Sequence, residues 1–126
     1  MRRTVACLML ANAALFLFGA AQHAGIGIGP FRDPVIPPAS IVETICALFL
    51  IAGAVAVWTG SHRAWQAALA GNLVAIAGVI VGMVALAMGA GPRTASNDVY
   101  HRIMLTLSCA ALLFLLSSSR RTASRR

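Results

Sequence analysis

The sequence predicts an all-α integral membrane protein, a bundle of four transmembrane helices with both termini in the cytoplasm. Three observations predict this class. Of the 126 residues, 60% are hydrophobic and 10% are charged, a balance that a water-soluble domain could hardly accommodate. Four long apolar runs alternate with stretches rich in glycine, proline or polar residues. The basic residues, all arginine, gather on one side of these runs. Residues 1–126 are therefore expected to form a single membrane domain.

The first helix is expected over residues 4–20, directly after Arg2 and Arg3. A basic start before an apolar run is also typical of a secretory signal peptide. This run is longer than a signal core and three more follow, so we expect an uncleaved helix. Residues 21–38 contain seven glycines and prolines, which predicts a long outer loop. Its interleaved apolar residues suggest that the loop folds back onto the membrane surface or the bundle.

The second helix is expected over residues 39–58. Two prolines precede it, and Ser40-x-x-Glu43 has the spacing of a capping box, in which Glu43 bonds the backbone amide of Ser40. A short turn over residues 59–64 follows. Trp58 and Trp65 flank that turn, as is typical of a membrane interface.

The third helix, expected over residues 65–89, carries a regular stripe of small residues. Their spacing alternates between three and four, which keeps them on one helix face. Small residues let helices approach closely in lipid, where association depends on packing. The stripe therefore predicts the main packing face, with Gly78-x-x-x-Gly82 as its tightest part. It consists of Ala68, Gly71, Ala75, Gly78, Gly82, Ala85 and Gly89.

The fourth helix is expected over residues 99–118, after a break at Gly91-Pro92 and a polar loop whose Ser96, Asn97 and Asp98 could cap it. Residues 119–126 form a basic tail, expected to be disordered or to lie on anionic lipid head groups.

The arginines predict the orientation of the bundle. Four spans place both termini and the 59–64 turn on one side, which then holds seven arginines and no acidic residue. The opposite side holds three arginines and all three acidic residues. Because basic segments are retained in the cytoplasm, both termini are expected there.

Two asparagines interrupt the apolar runs, Asn12 in the first helix and Asn72 in the third. They lie at similar distances from the starts of their helices, so we expect them at one depth. Such amides either bond to each other across a helix pair or line a polar pore.

The non-cytoplasmic end gathers every acidic residue and two of the three histidines, which suggests either a site or a set of structural ion pairs. Three interpretations stay open. The histidines and carboxylates could bind a transition metal, although no pair has a strong ligand spacing. The arginines and histidines could bind an anionic head group, a quinone or a small acid. Alternatively, the carboxylates cap helices and the arginines neutralise them, with Asp98 and Arg102 spaced to pair on one helix face. The candidate site residues are His23, Arg32, Glu43, Arg93, Asn97, Asp98, His101 and Arg102, with Asp33 and Tyr100 beside them.

The sequence disfavours nucleic-acid binding, a disulfide framework or structural zinc site, and nucleophilic hydrolysis. The arginines lie in tails and loops and form no basic stripe on a folded surface, so nucleic acid is not an expected partner. Cys7, Cys46 and Cys109 lie in apolar runs without a CxxC pair, which disfavours a disulfide framework or a structural zinc site. No serine stands in a nucleophile elbow. The pattern therefore identifies no catalytic residue and no definite metal ligand, and it specifies no cofactor.

Several motifs resemble those of the DoxX-like family of small bacterial membrane proteins. The second helix opens with Ile41-Val42-Glu43, and the connection Gly89-Ala90-Gly91-Pro92 leads to Asn97-Asp98. Glu43 matches the acidic residue that often begins the family's second helix, and Asp98 is similar to its aspartate before the last helix. Family members are associated with membrane redox and oxidative-stress assemblies. The resemblance implies a membrane subunit near redox chemistry.

We therefore expect a multi-pass subunit or scaffold of the bacterial inner membrane, with a polar ligand or partner site at its non-cytoplasmic end. The expected partners are the lipid bilayer and either a membrane protein or further copies of the chain. Two other functions stay open. One is an oligomeric transporter or channel for small solutes, and the other is a quinone- or metal-dependent membrane oxidoreductase acting through His23 and His101.

Overall fold

The computed structural model describes residues 2–28 and 34–123, and these form four α-helices. They are α1 (Arg2–His23), α2 (Pro37–Thr59), α3 (Ala64–Ala87) and α4 (Ala95–Ala123). Each contains a segment of 22 to 24 residues that is long and apolar enough to cross a membrane. The predicted all-α class and the four candidate spans are confirmed, and they indicate a multi-pass membrane protein.

The helices form a closed ring in chain order. α1 packs against α2 and α4, and α3 packs against the same two helices. At one end, Arg2 lies beside Gly60 in the turn between α2 and α3. At the other end, the Ile36 amide donates to the His23 carbonyl at 2.9 Å, and Ile36 also lies beside Gly91. We call this second end the loop end, since it carries the connections between α1 and α2 and between α3 and α4.

The interior is built from small and flexible side chains, whereas the outer surface is strongly apolar. Fully buried side chains include Met9, Leu50 and Met104, surrounded by buried alanines. Large apolar side chains lie exposed along the helices, at positions such as Leu48 and Leu113. A water-soluble bundle would place polar residues on that outer face, so this distribution is typical of helices surrounded by lipid.

The helix starts differ from the predicted ones. α2 begins at Pro37, two residues early, because a proline at the first helical position has no amide hydrogen to leave unpaired. The predicted capping box is wrong. The Ser40 hydroxyl donates to the Ala20 carbonyl at 2.8 Å, and no side chain within residues 2–28 and 34–123 caps the α2 start. Glu43 instead faces α1 and α4, as described below.

α4 starts earlier and runs further than predicted. Thr94 caps it, since its hydroxyl accepts the Asn97 amide at 3.2 Å, and the predicted caps at residues 96–98 lie inside the helix. No glycine or proline occurs after residue 92. The helix therefore continues through the predicted tail as far as Ala123, and the expected disorder of residues 119–123 is wrong. Residues 124–126 lie outside the described part of the chain.

α3 ends two residues before the predicted boundary. Gly89, which the sequence placed at the end of the small-residue stripe, adopts a φ of +82° just after the helix, and no atom of the described residues lies within 4 Å of an added Cβ. The Ala90 amide bonds the Ala85 carbonyl across this turn. Gly89 therefore terminates the helix, as glycine commonly does, and does not pack it.

The small-residue stripe brings the backbones of α2 and α3 closest together near its beginning. A Cβ added to Gly71 would lie 2.8 Å from the Phe49 carbonyl oxygen, and one added to Gly53 would lie 2.9 Å from the Ala67 carbonyl oxygen. Here the backbones of α2 and α3 almost touch. Gly78 and Gly82 instead face the side chains of Cys46 and His101, and a Cβ added to Gly78 would overlap Cys46 Sγ. These two glycines therefore pack closely against side chains, whereas Gly71 packs against backbone. Ala68 and Ala75 are fully buried, whereas Ala85 is only half-buried.

Candidate functional site

A cavity of about 210 Å³ lies inside the loop end of the bundle. All four helices contribute to it, and most of its wall is apolar. The second half of the α3 stripe forms one side, because residues without bulky side chains leave space there. The polar residues on the wall are His23, Glu43, Asn97, Tyr100 and His101. The apolar ones include Phe16, Ile36, Pro38, Val42, Gly78, Val79, Gly82, Ala85 and Leu86.

A hydrogen-bonded cluster joins three helices at one side of the cavity. His23 Nδ1 lies 2.8 Å from Glu43 Oε2, and both residues are buried, at 4% and 7% exposure. The Tyr100 hydroxyl lies 3.1 Å from Glu43 Oε1 and equally far from the Leu15 carbonyl oxygen. A buried carboxyl group needs such partners, because an unpaired charge in an apolar interior is very costly. Glu43 therefore links α1, α2 and α4.

Gly19 makes this cluster possible. An added Cβ there would overlap the Tyr100 hydroxyl and lie 2.7 Å from Glu43 Oε1. Gly19 was not among the predicted site residues. Its position four residues before His23, on the same face of α1, is the signal that could have identified it.

His101 and Asn97 form the second polar region of the wall, one turn apart on α4. They are 8% and 6% exposed. His101 Nδ1 lies 2.8 Å from the backbone oxygen of Asn97. The ring also meets Tyr100 edge to face, with centroids 5.6 Å apart. Its Nε2 atom points at Gly82, where an added Cβ would lie 2.8 Å away.

The arginine candidates lie elsewhere. Arg93 Nε contacts both carboxylate oxygens of Asp98 at 3.1 Å in an exposed ion pair. Asp98 therefore pairs with Arg93 and not with Arg102, the partner that the i, i+4 spacing suggested. Arg102 is exposed, and neither arginine lines the cavity. Arg32 and Asp33 lie outside the described residues.

The candidate metal ligands do not come together as one group. His23 and Glu43 are in contact, whereas Asp98 is occupied by Arg93 at the surface. Across residues 2–28 and 34–123, no three histidine, cysteine or acidic side chains are arranged to hold a metal ion.

The two asparagines are buried but do not bond to each other, so the expected pair is wrong. Asn12 Nδ2 donates to the Ser108 hydroxyl at 2.6 Å, and Asn72 Nδ2 donates to the Ala68 carbonyl one turn back at 2.8 Å. Asn12 therefore joins α1 to α4, a partner that depth alone could not identify. The Oδ1 atom of each amide lacks a hydrogen-bond partner within the described ranges.

These features define a class of protein, a four-helix bundle of membrane-spanning length with a small, mostly apolar cavity closed on one side by buried polar groups. Comparisons with protein-family models, with curated proteins and with solved structures found no match to the chain.

Proposed function

We propose that the chain is a non-catalytic membrane subunit that binds a small, mostly apolar molecule carrying one polar group in the cavity at the loop end. The observation that carries this proposal is the composition of the cavity wall. Apolar walls with a few placed polar groups are the usual form of a small-molecule site. A polar group of the ligand would lie against α4, and its apolar part would lie along α3.

The size of the cavity limits the ligand. An engineered apolar cavity of about 150 Å³ is known to hold benzene, so 210 Å³ accommodates one ring with a short substituent. A longer ligand would have to leave its tail between the helices, in contact with lipid. Arg93 and Arg102, the described arginines of the loop end, do not line the wall, which favours an uncharged ligand over an anionic head group.

The proposal includes an orientation. The end of the bundle opposite the loop end carries Arg2, Arg3 and Arg63. At the loop end, Arg93 forms an ion pair with Asp98. With the positive end in the cytoplasm, the cavity belongs to the outer half of the bacterial inner membrane. The resemblance to the DoxX-like family fits such a subunit and suggests that it works beside a membrane redox or stress-related complex, either with a protein partner or as a homo-oligomer.

The test is native mass spectrometry of the protein after gentle extraction from its own membrane. We expect a stoichiometric small molecule on the wild-type chain. Gly82→Leu and Ala85→Leu each fill the cavity from α3 and should abolish its retention. Ala70→Leu adds a side chain of the same size on the exposed face of α3 and should retain the molecule.

Two controls make the result decisive. Circular dichroism and size-exclusion chromatography show whether each variant keeps its helices and its size. A folded Ala85→Leu protein that carries the same small molecule at the same stoichiometry as wild type would refute the cavity as the binding site.

A further inference from the structure

The wall of the cavity holds polar groups that fit one kind of ligand. His101 Nδ1 faces the backbone carbonyl oxygen of Asn97, and a carbonyl oxygen can only accept a hydrogen bond. The Nδ1 atom must therefore carry the proton. In a neutral imidazole the other nitrogen is then an acceptor. His101 thus presents an Nε2 lone pair beside Gly82, on the cavity wall.

Neither this Nε2 atom nor the Asn97 side-chain amide has a hydrogen-bond partner among residues 2–28 and 34–123. Both residues are more than nine-tenths buried and line the cavity. They stand four residues apart, so their side chains are neighbours on one face of α4. Neither the His101 Nε2 atom nor the Asn97 side-chain amide is among the fully buried partnerless atoms of these ranges, so each retains accessible surface. A ligand in the cavity can form a hydrogen bond with these groups.

Resting on the proposed function, we infer that the ligand belongs to the hydroxyl-bearing class, such as a phenol or a short alcohol. A hydroxyl is both donor and acceptor. It donates to His101 Nε2 and accepts from the Asn97 amide, so one group satisfies both. In the cluster around Glu43, His23 Nδ1 and the Tyr100 hydroxyl are directed at the Glu43 carboxylate. A ketone, an ether or an ester can only accept, and would leave Nε2 unpaired.

The probes are 4-propylphenol and its methyl ether, 4-propylanisole, which share the ring and the propyl chain but differ in the donor hydrogen. Binding is measured by equilibrium dialysis of the full chain in detergent against protein-free micelles of the same detergent. We expect the phenol to bind at least about tenfold more tightly than the ether, because sites that bond a hydroxyl discriminate strongly against analogues lacking it.

The variants separate the two wall groups. His101→Phe removes the acceptor and should reduce the phenol-to-ether ratio to near one while the ether still binds. Asn97→Leu removes a donor that both probes can use, so both affinities should fall together and the ratio should persist. Arg102→Ala, on the exposed face beside His101, should change neither value.

The wild-type ratio decides the inference even if a variant fails to fold. Equal, specific binding of the two probes, or tighter binding of the ether, overturns the hydroxyl class and leaves the cavity as a binding site. Failure of both probes to exceed their partition into empty micelles overturns the binding function together with the inference.

Discussion

Replacing Gly71 by alanine tests the contact on which the bundle depends. The new Cβ would lie 2.8 Å from the Phe49 carbonyl oxygen, which is 0.6 Å short of the 3.4 Å at which ordinary contact begins. A backbone oxygen cannot rotate away as a side chain can, so α2 and α3 must separate locally. Overpacking of this kind costs about 1–3 kcal/mol. The higher helix propensity of alanine over glycine offsets about 1 kcal/mol of this cost, and we expect a net loss of about 0–2 kcal/mol.

The assay is equilibrium unfolding in mixed micelles titrated with a denaturing detergent. Ala70→Gly, at the neighbouring exposed position, measures the propensity term by itself. If Gly71→Ala raised the free energy of unfolding by as much as Ala70→Gly lowers it, the added methyl group at residue 71 would have no steric cost. In that case the close approach of α2 and α3 would be wrong.

Three further predictions concern polar groups and orientation. Glu43→Leu removes the hydrogen-bond partner of His23 and should lower the free energy of unfolding by about 1–3 kcal/mol. Glu43→Gln keeps the size and shape of the side chain and should lower it less. Equal losses for the two variants in the same unfolding assay would contradict this. Asn12→Leu combined with Ser108→Ala removes both sides of a buried hydrogen bond and should be nearly neutral, while Ser108→Ala alone should destabilise; the reverse order would refute the bond. A reporter active only outside the cytoplasm, fused to the C terminus, should stay silent in cells, and its activity would reverse the proposed orientation.

The architecture could be predicted from the sequence because membrane spans need only length and apolarity. All four helices fell within a few residues of their expected positions. The errors occurred where a side chain had an alternative partner that local spacing does not reveal. Ser40-x-x-Glu43 matches a capping box, yet Glu43 bonds residues 20 positions before it and 57 positions after it.

The small-residue stripe on α3 shows the same limit of prediction from local spacing. Its register on α3 could be read from the spacing, but each small residue only permits close approach and does not specify what approaches. Gly71 meets backbone, Gly82 meets the ring of His101, and Ala85 faces a cavity. The cavity forms where the neighbouring helices do not fill the space beside the small residues. Its position therefore depends on how all four helices align and not on α3 alone.

Some of the candidate site residues lie together in the structure, and others do not. His23, Glu43, Asn97 and His101 were grouped because an up-and-down order brings helix ends together, and the structure places all four on one cavity wall. The same argument grouped Arg102 with them, although it lies on the outer face of α4. The sequence did not show which face of α4 points into the bundle, because the start of this helix has polar and apolar residues on every side.

The most direct test of the account is an experimental structure of the protein in a lipid nanodisc, prepared from its own membrane without added ligand. We predict non-protein density in the cavity beside Gly82 and His101, sized for a single ring or a short chain and within hydrogen-bonding distance of His101 Nε2. A cavity closed by the side chains of α3 and α4 in that structure, with His101 Nε2 bonded to the protein itself, would contradict the central claim.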